Sequence, residues 1–215
     1  MKKIQVLKNV FAANDQIADF IRNKLKEKDI KLINIMGSPG SGKTTFIEKT
    51  IEITNEKKFA VIEGDIETSI DAERLSRWNI PIYQINTGPF GGDCHLEASW
   101  IKSAIEEMNL EDVNIVLIEN IGNLVCPAEF DTGAHRNVVV LSVTEGEDKP
   151  LKYPLMFRRS HYLIISKIDL LKYVDLNIDN LIENARKINP DIKVLKVSAK
   201  TGEGIEEWKR EILNL

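Results

Sequence analysis

The sequence predicts an α/β fold, a mainly parallel sheet with helices on both faces, and three observations lead there. Short, continuous apolar runs recur along the chain in place of the strict alternation of a half-exposed strand, which suits strands covered on both sides. Amphipathic segments lie between most of these runs, and strand–helix alternation implies parallel pairing. The 215 residues hold no internal repeat, low-complexity tract or long linker, and 43% hydrophobic with 29% charged residues describes one ordinary globular domain.

The elements follow in order. Within residues 14–28, Ile17, Ile21 and Leu25 recur at every fourth position with Phe20 beside them, so a helix lies on the core before the first strand. This divides the chain into an N-terminal helical extension over 1–30 and a main domain over 31–215. Strands are expected at 32–36, 59–63, 81–86, 113–119, 138–143, 162–166 and 193–197. Helices are expected at 44–54, 70–78, 94–108, 178–188 and 204–213.

Residues 37–44 read GSPGSGKT and fit G-x-x-x-x-G-K-[ST], directly after the first strand and before an amphipathic helix. Glycines there let backbone N–H groups turn inward around phosphates, and the helix N-terminus adds the positive end of its dipole. Gly37, Ser38, Pro39, Gly40, Ser41, Gly42, Lys43, Thr44 and Thr45 are therefore candidate ligands of a nucleoside triphosphate. Lys43 supplies a cation at the β/γ bridge and Thr44 a hydroxyl for Mg²⁺.

Two later segments fit a base. Ser166-Lys167-Ile168-Asp169 and Ser198-Ala199-Lys200 each follow an apolar run and resemble the N-K-x-D and S-A-K guanine-reading motifs. A carboxylate at Asp169 accepts from N1–H and the 2-amino group of guanine, Lys167 covers the ring, and the backbone near Ala199 reaches the guanine oxygen. Ser166 stands where that pattern has Asn, whose amide ties this loop to the phosphate loop. A shorter hydroxyl leaves that tie in question. The run 113–119 ends on Glu119, a candidate for Mg²⁺, and Asp65 and Asp71 are candidates to hold a Mg²⁺-bound or attacking water.

Cys94 and His95 are adjacent at the head of the helix expected at 94–108, and Cys126 follows seven residues after Glu119. A helix N-terminus favours the thiolate that binds metal. Thiolate and imidazole suit Zn²⁺ or Ni²⁺, and ligand identity does not choose between them. His135 and His161 are isolated and read as structural or solvated.

The net charge of −4 gives no sign of a nucleic-acid partner, and no apolar stretch approaches a membrane span. With two cysteines and no signal-peptide core, the chain is expected to be cytoplasmic.

The successive segments GSPGSGKT, EGDIETSIDAERL, DCHLEA, IENIGNLVCPAEFD, SVTEGEDKPLKYP, SKIDLL and SAKTGEGI resemble, in order, the motifs of the HypB family of nickel–iron hydrogenase maturation GTPases. The resemblance implies a dimerising phosphate-loop GTPase of the SIMIBI class. It further implies GTP hydrolysis with Mg²⁺, and Cys94, His95 and Cys126 as Ni²⁺ or Zn²⁺ ligands. The implied partners are a second copy, a HypA-type zinc/nickel protein and the hydrogenase large subunit. Residues 1–14 contain neither Cys nor His, so the N-terminal nickel motif of some members is not matched. Rival readings are a related metallochaperone GTPase serving urease or a cobalt enzyme, a small-molecule kinase, and a non-catalytic nucleotide-gated scaffold.

Overall fold

The computed structural model describes residues 3–54, 58–65, 74–88 and 93–214. Seven strands form one sheet: β1 Lys31–Gly37, β2 Phe59–Asp65, β3 Ile82–Asn86, β4 Ile115–Glu119, β5 Arg136–Ser142, β6 Tyr162–Ser166 and β7 Lys193–Val197. Their order is β3-β2-β4-β1-β5-β6-β7 and every pairing is parallel. The apolar runs have the expected cause, since β4 and β6 are buried at every position while the edge strand β3 is mostly half-buried.

The helices are α1 Lys3–Glu27, α2 Lys43–Ile53, α3 Ala98–Glu107, α4 Lys149–Lys152, α5 Pro154–Arg159, α6 Ile178–Ile188 and α7 Ile205–Leu213. Alternation along each strand sends neighbouring side chains to opposite faces. Ile33 and Ile35 thus meet Phe46 of α2 and Trp208 of α7, while Leu32 meets Ile21 and Leu25 of α1 and Ile101 of α3. Beyond β1 on that second face, α5 and α6 cover β5 and β6 through Phe157 and Leu181. Of the helix expected at 70–78, residues 74–76 are helical and 70–73 lie outside the described residues.

One core assignment changes. Phe20 does not join the stripe of α1 but is 49% exposed, with the ammonium groups of Lys24 and Lys102 at 5.7 and 5.3 Å from its ring centroid. It stands one position off the Ile17–Ile21–Leu25 repeat, and 100° of helical rotation carries it out of the contact.

Trp208 is the largest fully buried side chain. Its indole N–H donates to Thr50 Oγ1 at 2.9 Å, and Phe46 lies at 5.1 Å between ring centroids. Trp208→Ala is expected to cost about 3–5 kcal/mol in urea unfolding, because a cavity opens and the Thr50 hydroxyl, which still donates to Phe46 O at 2.7 Å, loses the donor it accepts from.

Candidate functional site

The strand order reverses at β1, with β4 on one side and β5 on the other, and open α/β sheets place ligands beyond the strand ends at that point. The phosphate loop leaves β1 there. Two glycines are required by geometry. A Cβ on Gly37 would lie 2.3 Å from Val140 O, and Gly42 caps α2 with φ +98°, a conformation L side chains rarely adopt.

The loop bounds a cleft of about 470 Å³ that Lys43, Thr44, Glu63, Asp65 and Glu119 all line. Thr44 Oγ1 donates to Glu119 Oε1 at 2.7 Å, and both residues are more than nine-tenths buried. Hydroxyl and carboxylate oxygens beside a lysine are the hard donor set that Mg²⁺ takes with a triphosphate, so the residues fit that pair of ligands. Glu63 was not singled out by its sequence. It is 2% exposed, and parallel register sets it beside Glu119. Its signal was the two-residue spacing to Asp65, which puts both acids on one face of β2. Arg74 also lines the cleft and pairs with the buried Glu48 at 2.7 Å. Asp71 lies outside the described residues.

A second cavity, about 300 Å³, opens beside the first and shares Gly42, Thr45 and Lys167 with it. Asp169, Ala199 and Lys200 line it. Ser198 Oγ donates to Asp169 Oδ1 at 2.7 Å, which orients the carboxylate. Here an open question is answered. The Ser166 hydroxyl does reach the phosphate loop, donating to Ser41 O at 2.6 Å, and Lys167 Nζ donates to Gly40 O at 2.5 Å. The loops approach closely enough that the shorter side chain suffices.

The metal candidates separate into a pair and a neighbour. Cys94 and Cys126 lie side by side: a hydrogen bond with Cys94 is the main cause that pushes the Cys126 thiol up to about 11, followed by burial, while Asn123 pulls it down. Asn123 Nδ2 donates to Cys126 Sγ at 3.4 Å. The ring of His95 stacks on Phe130 with centroids 3.8 Å apart, and burial lowers its pKa against the opposing charges of Glu97, Asp93 and Glu129. Both ring nitrogens are buried and lack a hydrogen-bond partner among the described residues, with Nε2 3.8 Å from Glu97 Oε1. Among the described residues, no group of three or more His, Cys, Asp or Glu within the single chain could hold a metal ion. A protonated Cys126 must lose its proton to bind metal, so affinity is expected to rise roughly tenfold per pH unit for that thiol up to about pH 11. Titration of Zn²⁺ at several pH values checks this, and a flat profile would contradict it.

The helix head expected at Cys94 is also corrected. α3 starts at Ala98, and Glu97 before it is extended with φ −92° and ψ 156°. Leu96 is fully buried against Gly64 of β2, where any Cβ would meet it at 2.7 Å. That contact draws the chain down to the sheet before the helix can begin, so Cys94 does not sit at the helix head.

His135 and His161 are structural. Each Nδ1 accepts from a strand N–H at 3.0 Å, from Leu32 and Asn137 respectively, and burial lowers both pKa values.

The phosphate loop and the thiol pair share one carbonyl. Gly37 O accepts from Lys43 Nζ at 3.3 Å and from Asn123 N at 3.0 Å, and Asn123 is the residue that reaches Cys126. Gly122 presses on the loop as well, with room for no Cβ beyond 3.0 Å from Pro39.

Comparison with known proteins gives one consistent result. The family model of the CobW/HypB/UreG nucleotide-binding domain matches residues 31–196. The chain is 44% identical over 208 residues to the hydrogenase maturation factor HypB of Azotobacter chroococcum mcd 1, covering 96% of this chain and 67% of that one. Among solved structures, the hydrogenase maturation factor HypB from Archaeoglobus fulgidus is 39% identical with a TM-score of 0.86, covering 94% of this chain and 98% of the other. HypB from Helicobacter pylori in complex with nickel is 37% identical with a TM-score of 0.88, covering 94% of both chains.

Proposed function

Because the chain belongs to the CobW/HypB/UreG family of nucleotide-binding proteins, with hydrogenase maturation factors HypB as its relatives, we propose that it couples GTP binding and hydrolysis to nickel delivery during nickel–iron hydrogenase maturation. The observation that carries this reading is the shared Gly37 carbonyl, which joins the phosphate lysine to the segment bearing Cys126. Nickel is cargo here, and the thiol pair is its seat.

Hydrolysis needs little covalent chemistry from the protein. Lys43 and the loop N–H groups hold the phosphates, and Thr44, Asp65 and Glu119 would hold Mg²⁺, which would neutralise phosphate charge. Asp65 or Asp71 orients the attacking water, with Glu63 now a further candidate. With no partner-supplied cation, turnover is slow. Asp169, oriented by Ser198, selects guanine. Asp169→Asn keeps an acceptor for N1–H but presents an amine to the guanine amino group, so GTP affinity should fall by about 10²-fold or more. Xanthosine triphosphate, with a carbonyl at that position, should bind the variant better than GTP; competition binding measures both.

Two thiols per chain make half of a four-ligand shell, which supports a metal shared across a two-fold homodimer, with His95 completing or flanking it. Zn²⁺ is the second metal this donor set suits. A HypA-type zinc/nickel protein and the hydrogenase large subunit are the proposed partners, and the cytoplasm the proposed compartment. No helix among the described residues is long and apolar enough to cross a membrane. GTP and ATP hydrolysis with and without Ni²⁺ and Zn²⁺ tests the reading. ATP preference with a product that depends on an added acceptor would instead indicate a kinase.

A further inference from the structure

We propose that Asn14 is a positioning residue of the Cys94–Cys126 pair, a clamp on α1 that fixes the separation of the two cysteine-bearing segments. The proposal rests on the reading of that pair as a metal site. α1 precedes the residues matched by the family model, and none of its described residues lines the nucleotide cleft. Yet Asn14, 7% exposed, bonds to both segments at once. Its Oδ1 accepts from Ala98 N at 2.9 Å and its Nδ2 donates to Asp131 O at 2.9 Å. One partner is an N–H and the other a carbonyl, so the amide has only one satisfactory orientation.

Ala98 lies four residues after Cys94, and Asp131 five after Cys126. Ala98 opens α3, whose own N-cap residue Glu97 makes no side-chain capping bond. Asn14 therefore caps that helix from a different helix and fixes where the Cys94 segment enters it. On the other side, Asp131 is held further by Arg22, whose Nη2 donates to both carboxylate oxygens at 2.9 and 2.7 Å, and by Gly133 N at 2.8 Å. Gly133 sits so close to α1 that a Cβ would lie 2.8 Å from Ala18 O. Phe130, stacked on His95, also meets Phe11 of α1 at 5.1 Å. The same helix thus holds both loops, and the distance between their thiols is set by groups that bind no metal.

Residues that orient ligands in this way carry roughly 10–100-fold in metal affinity. The test uses the full chain with Asn14→Ala and Asn14→Asp. The aspartate keeps the acceptor for Ala98 N but sets a carboxylate against Asp131 O. Ile17→Ala, a partly buried neighbour on α1, serves as the stability control. The metal-free readout is the equilibrium with glutathione, in which two protein thiols become one disulfide as one glutathione disulfide is reduced to two glutathione thiols. The second readout is Zn²⁺ and Ni²⁺ affinity, the latter followed by thiolate-to-nickel absorption. The expected result is a fall of about tenfold or more in the disulfide equilibrium constant and about 10–100-fold in metal affinity for both Asn14 variants. GTP turnover should stay within twofold of wild type, and Ile17→Ala should move neither readout. An unchanged thiol equilibrium in both folded Asn14 variants overturns the clamp, and so does an equal loss in Ile17→Ala. Wild-type protein that binds neither metal overturns the metal reading of the pair instead.

Discussion

GTP turnover by the Lys43→Ala variant is expected to fall by at least about 10²–10³-fold, while the nucleotide-free variant still binds metal at Cys94 and Cys126. Lys43 is 7% exposed at the floor of the cleft, where its ammonium lies against the carbonyls of Gly37 and Ser38. At that buried position a cation acts on phosphate charge through a reduced effective dielectric, and among the described residues Lys167 on the base side is the only other lysine that lines the cleft. Removal leaves the backbone donors of the loop, so nucleotide affinity should drop less than turnover. Metal binding is retained because Asn123 N keeps its bond to Gly37 O, and with the lysine gone from that carbonyl the affinity should match that of the GTP-analogue-bound wild type. Phosphate release under single-turnover conditions, with a parallel Zn²⁺ titration, measures both halves. Turnover within threefold of wild type would remove Lys43 from the mechanism.

The sheet was legible because its central strands are buried on both faces, which gives continuous apolar runs such as 113–119 and 162–166. The phosphate loop and the Asp169 and Ser198 segments were legible because their residue types answer to a ligand's geometry at strand ends. What escaped the sequence depends on long-range contacts. The start of α3 is set by Leu96 dropping onto Gly64, and helical periodicity over 94–108 contains no trace of that glycine. The sufficiency of Ser166 is set by how closely two loops approach across 125 residues of chain. Asn14 and Asn123 are single amides in amphipathic or loop sequence with no spacing to mark them. Asn14 binds partners 84 and 117 residues away. Phe20 misled for the opposite reason: an apolar residue beside a stripe reads as part of it until the helix is built.

Nickel affinity should differ between the GDP-bound and GTP-analogue-bound protein, within the roughly 5–150-fold range of ordinary allosteric coupling. The segment that carries Cys126 touches the nucleotide cleft directly, since Asn120, Ile121 and Gly122 line it. It also touches the phosphate loop twice, through Gly122 on Pro39 and through Asn123 N on the carbonyl that Lys43 uses. A γ-phosphate that draws Lys43 away leaves Gly37 O with Asn123 as its remaining donor of the two, and any shift of Asn123 moves the amide that bonds Cys126 Sγ. Asn120 is anchored from below by Asn34 at 3.1 Å, so movement is concentrated in the residues between that anchor and the cysteine. Linkage makes the effect reciprocal: nickel must change the ratio of GTP to GDP affinity by the same factor. Asn123→Ala keeps the backbone bond to Gly37 but loses the bond to sulfur, so it should bring the two nickel affinities together without abolishing either. Nickel titrations of wild type and Asn123→Ala, each with GDP and with a GTP analogue, form a closed cycle. Superimposable wild-type curves in the two nucleotide states would mean that the shared carbonyl carries no information between the sites.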